Sequence, residues 1–330
     1  MRLEEGVRRL GNTPETVIRQ ALAKNGLWID VGLVTVRLRS DVSAMAAQLA
    51  SVYRHFPFLA GPQWADLHVD LMRPMGLRSL VRPQVRFSSE RETPFEPFPE
   101  DTALPLFEWG ANWLISRRMN NVLLFHAGVL EKEGLALVLP AVPGSGKSTL
   151  TSALSLRGWR LLSDEFGAFD PGLRAFRPVL KPAALKNDSI EVIRQWSADA
   201  PLGPEFPKTR KGTVAHLAPS LAAVDAVHEF AQPGAIVLPK WQAGAATQWS
   251  PVPASEAFAE LAFNAFNYNV MGQAGFHAVV HLVRRCPAWR LVYSNLDEAL
   301  TTLSDAWPQV LAEAPQRREA AEAAVSADLR

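Results

Sequence analysis

The apolar positions change period several times along the chain, and each period predicts an element. Residues 31–38 (VGLVTVRL) alternate as a half-buried strand. Asp41-Val42-Ser43 then opens a helix reaching Tyr53, with Met45, Leu49 and Val52 on one face. Residues 68–72 and 84–88 alternate again, so residues 1–95 read as a small α+β module. The Pro-rich run 93–99 reads as a connection. Beyond it, residues 104–119 are amphipathic, and Trp109 and Trp113 share a helical packing face.

The next signal is a hairpin. Residues 122–130 (VLLFHAGVL) precede the turn Glu131-Lys132-Glu133-Gly134, and the wholly apolar run 135–139 follows, as suits a buried parallel strand. Leu150, Leu154 and Leu156 then mark a helix, which Arg157 and Gly158 are suited to end, and residues 159–163 return as a strand. Farther on, Asn187-Asp188-Ser189 signals a helix over 190–196, and residues 214–217, 224–230 and 235–238 read as strands. Helices over 255–266 and 272–283, a strand over 289–294 and a helix over 296–307 complete the pattern. Residues 311–330, rich in Ala and charge, read as a solvated helix or a frayed tail. The expected fold class is α/β, with a module over 1–95, a core domain over 96–310 and a tail over 311–330.

Composition changes this picture little. A chain of 330 residues is long enough for two domains, and 48% hydrophobic with 20% charged residues is ordinary for a globular protein. The net charge of +1 gives no reason to expect nucleic acid as a partner. With Cys286 the single cysteine, the chain forms no internal disulfide and no cysteine metal cluster. No signal peptide opens the chain and no apolar run nears the length of a membrane span, so the expectation is a cytoplasmic protein without a membrane partner.

Candidate chemistry concentrates between the apolar strand and the helix. Ala141-Val142-Pro143-Gly144-Ser145-Gly146-Lys147-Ser148, followed by Thr149, fits G-x-x-x-x-G-K-[ST] with Ala141 in the first Gly position. Gly144 and Gly146 fall where the chain must curl so that backbone N–H groups meet phosphate oxygens. Lys147 would reach the β- and γ-phosphates of ATP, and the Ser148 hydroxyl would join a magnesium shell. One helix and one connection later come Asp164 and Glu165, at a strand end where acidic chemistry belongs; they face the same phosphates only if the chain turns there. His126, inside an apolar strand, is either a packed core residue or a catalytic group. Lys208, Arg210 and Lys211 form a basic loop that is either a phosphate clamp or a solvated charge run. Lys181 and Lys186 are a second pair of candidates; Lys186 precedes a helix N-terminus that favours anions, and is otherwise a surface lysine. His277 and His281, four residues apart, are spaced to share a metal, but no carboxylate motif accompanies them, which argues against a metal site.

As a set, His126-Ala127-Gly128, the hairpin, the loop through Ser148 and Arg157-Gly158-Trp159-Arg160-Leu161-Leu162-Ser163-Asp164-Glu165 resemble the HPr kinase/phosphorylase family. In that family a His-Gly segment, a G-x-S-G-x-G-K-S loop and an R-G-H-R-L-V-A-D-D segment follow in the same order. Ala127, Ala141 and Glu165 stand where the family has Gly, Gly and Asp, and no R-P-G-R-N-type signature occurs. The likeness is therefore to the HPr kinase-related proteins of the A group rather than to the HPr enzyme. It implies a P-loop core shared with phosphoenolpyruvate carboxykinases, and ATP- and magnesium-dependent phosphoryl transfer to a hydroxyl, Ser of a protein or peptide. A free-amino-acid kinase and a non-catalytic, partner-recruiting ATP-binding module are the other readings. By this resemblance Lys147 and Ser148 take nucleotide and metal. Asp164 is general base or metal ligand with Glu165 in the other role, and His126 lies beside the transferring phosphoryl group. The family likeness also suggests a homo-oligomer.

Overall fold

The structure, a computed structural model, describes residues 7–74, 82–142 and 144–328. It is mixed α/β, and it divides into two compact units, each made of two stretches of chain. Met1–Arg118 joins Leu180–His228 in one, and Met119–Val179 joins Glu229–Arg330 in the other. The changes of unit thus follow residues 118, 179 and 228, whereas the sequence reading placed boundaries after 95 and 310. Helix Ala103–Arg118 belongs with the N-terminal strands because its apolar face packs on Leu67–Met72 and Gln84–Ser88.

Among the described residues the first unit holds a five-stranded sheet in chain order: Leu27–Asp30, Thr35–Ser40, Leu67–Met72, Gln84–Ser88 and Phe98–Pro99. The second and third strands are parallel, joined by helix Met45–Val52, and the other pairs are antiparallel. The run 31–38 is not one strand. Gly32 takes φ 95°, the Val31 N–H bonds the Val34 carbonyl at 3.1 Å, and the alternation straddles a turn. Phe95 stacks on Trp109 at 4.3 Å and meets Trp113 edge-on, so the paired tryptophans are packing residues.

The second stretch of this unit adds a three-stranded sheet, in which Gly212–Leu217 lies between Ala183–Lys186 and Phe206–Thr209. Helix Asp188–Trp196 starts after Asn187, whose φ of 50° and side-chain acceptance from the Thr213 N–H replace the N-cap bond expected from its sequence. Residues 224–230 are also corrected. Ser220 Oγ accepts from the Ala223 N–H, capping a short helix Leu221–Asp225, and the rest is turn. A short apolar run carries too little periodicity to tell a helix from a strand.

The second unit is built on an eight-stranded mixed sheet. At its centre Leu135–Pro140 pairs antiparallel with Leu123–Lys132 and parallel with Gln232–Trp241, which is parallel in turn to Ala288–Tyr293. Phe125, Val129, Val138, Ile236, Leu261, Val279 and Leu282 join strands and helices in one buried cluster. Helix Leu296–Asp328 runs on through residue 328, the helical alternative for the charged C-terminal segment, with Pro308 and Pro315 inside it and Glu313 paired to Arg317 one turn on.

His281, on helix Gln273–Arg285, is buried against Phe169 with no hydrogen-bond partner for Nε2 among the described residues, while His277 is exposed. Burial first, then Arg174 and Arg285 against an opposing Glu322, pulls the His281 pKa from 6.5 to about 4. The unfolded chain therefore binds the extra proton as pH falls from about 6.5 to about 4, and stability should drop through that window. Urea unfolding across it should show an acid-side slope that His281→Leu reduces; an unchanged slope would assign the effect to other groups.

Candidate functional site

Three parallel strands end at one edge of the central sheet: Leu135–Pro140, Gln232–Trp241 and Ala288–Tyr293. The Gly-rich loop leaves from the first. The two-residue turn behind that strand is set by left-handed Glu133 and Gly134, at φ 55° and 82°, which fix the hairpin register up to Ala127 opposite Pro140.

The loop curls at Gly144 and Gly146, with φ of 88° and 84°. A Cβ on Gly144 would meet nothing within 4 Å. One on Gly146 would lie 2.6 Å from Tyr293 Oη and 2.8 Å from Trp241 Cβ, so the chain passes there only as glycine. The Trp241 N–H donates to the Ser145 carbonyl at 2.8 Å, and Tyr293 Oη donates to the Gly146 carbonyl at 3.2 Å. Burial raises the Tyr293 pKa, which keeps that hydroxyl a donor. The loop is thus braced by the ends of the two neighbouring strands.

Helix Lys147–Leu156 begins at once, with no side-chain cap among the described residues on its N-terminus, the end that carries partial positive charge. Lys147 is 8% exposed, and its ammonium donates to the Asp164 carbonyl oxygen and, at 3.3 Å, to Asp164 Oδ1. Ser148 Oγ donates to Asp164 Oδ2 at 3.0 Å. One buried carboxylate therefore holds both the cation and the hydroxyl at the start of the helix.

Asp164 reaches this position because the chain turns after strand Arg160–Ser163. Ser163 Oγ accepts from the N–H groups of Glu165 and Phe166, at 3.2 and 2.8 Å, and a new strand Phe166–Asp170 begins. Glu165 is half-buried within that turn. His126 pairs in register with Phe166, its carbonyl accepts from the Ala141 N–H at 3.4 Å, and its ring meets Phe266 edge-on at 5.6 Å. Ala141 is buried, Val142 half exposed and Thr149 half-buried, and Pro143 lies outside the described residues.

The basic candidates belong to the other unit. Lys186 ends strand Ala183–Lys186, Lys208 lies in strand Phe206–Thr209, and Arg210 and Lys211 form the following turn. Arg210 is engaged: its guanidinium stands 4.8 Å from the Phe98 ring centre and 5.8 Å from that of Trp109. Sequence reasoning passed over Tyr293, Trp241 and Ser163. An aromatic residue closing an apolar strand was the only available sign of the first two.

No family model matches this chain, and no curated protein matches it significantly.

Proposed function

We propose that the second unit binds a nucleoside triphosphate with magnesium and transfers its γ-phosphoryl group to a hydroxyl, that of a Ser in a protein or peptide. The observation that carries this reading is the convergence of Lys147, Ser148 and Asp164 at the mouth of a glycine-curled loop that opens a helix. Such a loop offers backbone N–H groups and a favourable dipole to phosphate.

The donor set suits magnesium. Among the described residues no group of three His, Cys, Asp or Glu gathers as a self-sufficient metal cage. Magnesium does not need one, since it takes one or two protein oxygens and completes its shell with phosphates and water. Ser148 and Asp164 are those oxygens, and bound there the ion would neutralise charge on the β- and γ-phosphates. Lys147 can pass from Asp164 to the phosphates. That releases the carboxylate to hold the metal or to take the acceptor proton, with Glu165 beside it for the other task. His126 stands one strand away, opposite Phe166. The likeness to HPr kinase-related sequences, and the P-loop core it implies, support the same reading.

Calorimetry with ATP and magnesium tests it. The wild type should bind, and Lys147→Ala should weaken binding about tenfold or more through loss of charged hydrogen bonds. Release of ADP should then appear with Ser-containing peptides. Unchanged affinity in the variant would remove the loop from the site. Binding without turnover would leave a nucleotide-binding module, and turnover on free serine alone would make the protein a small-molecule kinase.

A further inference from the structure

Resting on the nucleotide reading above, we infer that Trp241 is the platform on which the nucleobase of the bound triphosphate stacks. The strand Gln232–Trp241 is buried from Pro233 to Pro239, yet its last side chain, the indole of Trp241, is 50% exposed. It lies at the strand-end edge from which the Gly-rich loop emerges, the edge where open parallel sheets take ligands.

A single exposed aromatic is ordinary on a protein surface. What separates Trp241 from such residues is how it is fixed. Its N–H is bonded to the Ser145 carbonyl, and its Cβ lies where a side chain on Gly146 would have to go. The Gln242 N–H is in turn bonded to the Tyr293 carbonyl at 2.9 Å. The backbone and Cβ of Trp241 are therefore tied to the loop. A nucleotide needs that arrangement, because ribose and α-phosphate tie its base at a set distance from its β-phosphate. An exposed apolar ring rooted beside the loop that would cradle phosphate distinguishes a nucleoside triphosphate from an inorganic polyphosphate. Stacking on indole tolerates any base, so the selection is for a nucleoside over none, with little preference between adenine and guanine.

The test is calorimetric titration of the full chain with magnesium complexes of ATP, GTP and inorganic tripolyphosphate. The wild type, Trp241→Ala and Trp241→Phe are compared. Trp241→Ala should weaken ATP and GTP about tenfold and leave tripolyphosphate unchanged, and Trp241→Phe should restore most of the loss. Undiminished ATP affinity in Trp241→Ala overturns the proposal. So does an equal loss for ATP and tripolyphosphate, which would make Trp241 only a brace of the loop. Wild-type binding of tripolyphosphate as tight as that of ATP overturns the stacking while sparing the phosphate loop. Failure of the wild type to bind either ligand overturns both.

Discussion

Replacing Asp164 with Asn should slow phosphoryl transfer by a factor on the order of 10² or more while the fold persists. Asparagine keeps the shape of the site and can still accept from Ser148 Oγ, and Lys147 retains its bond to the backbone carbonyl of residue 164. It loses the negative charge. That charge has two opposed effects before and after ligand binding. In the free protein it would compete with phosphate for the Lys147 ammonium, since the two groups form an ion pair with each side chain 8% exposed. In the complex it would hold the metal or take a proton. Metal-free ATP should therefore bind Asp164→Asn at least as tightly as the wild type, while the gain in affinity on adding magnesium shrinks. Titration with and without magnesium, alongside a rate measurement, reads both effects. A variant with near-normal turnover would remove Asp164 from the chemistry. One with weakened metal-free binding would show that the carboxylate positions Lys147 rather than competing for it.

Replacing Glu108 with Ala should destabilise the first unit by about 3–5 kcal/mol, the cost of leaving a buried charge unpaired. Glu108 lies inside helix Ala103–Arg118 with only 9% of its side chain exposed. It accepts from Lys181 Nζ at 2.9 Å and from Tyr53 Oη, and Lys181 also donates to Asn112 Oδ1. Burial and the neighbouring Glu108 carboxylate raise the Tyr53 pKa well above its usual value, so the phenol stays a donor. Removing the carboxylate leaves the Lys181 charge with only neutral oxygens, of Asn112 and the residue-108 carbonyl, and takes the acceptor from the Tyr53 hydroxyl. The double variant Glu108→Leu with Lys181→Met should recover much of the stability, because it leaves no buried charge and only the Tyr53 hydroxyl without its acceptor. Urea unfolding of the single and double variants decides this. A single-variant loss below about 1 kcal/mol would mean that water reaches Lys181 and the pair is a surface-like one.

The parts of this architecture that could be read in the sequence are those whose partners are near in the chain. The hairpin was legible because Glu133-Gly134 separates two apolar runs, and the loop and its helix because both glycines, the lysine and the helical leucines fall within one short stretch. Alternation misled at residues 31–38, since a hairpin turn with Gly32 left-handed preserves an apolar pattern on both sides. Whether the chain turned at Asp164 was undecided from sequence, and the answer lay in Ser163, whose hydroxyl serves the two following N–H groups. The discontinuous units were illegible for a different reason: hydrophobic pattern tells which face of a segment is buried, not which distant face covers it. The same holds for the brace on the loop, where Gly146 and Tyr293 are 147 positions apart.

That separation bears on how the protein is made. The loop leaves the ribosome well before the strand that steadies it, and at roughly 5–20 residues per second the delay is on the order of ten to thirty seconds. During that interval Lys147 and its glycines exist without the Tyr293 hydroxyl and the strand that carries it. A nascent chain halted before Ala288–Tyr293 should therefore fail to retain nucleotide although every residue of the loop motif is present. On the proposed function, ligand capture would be a late event of synthesis, and a chain truncated there would carry the loop motif without its brace.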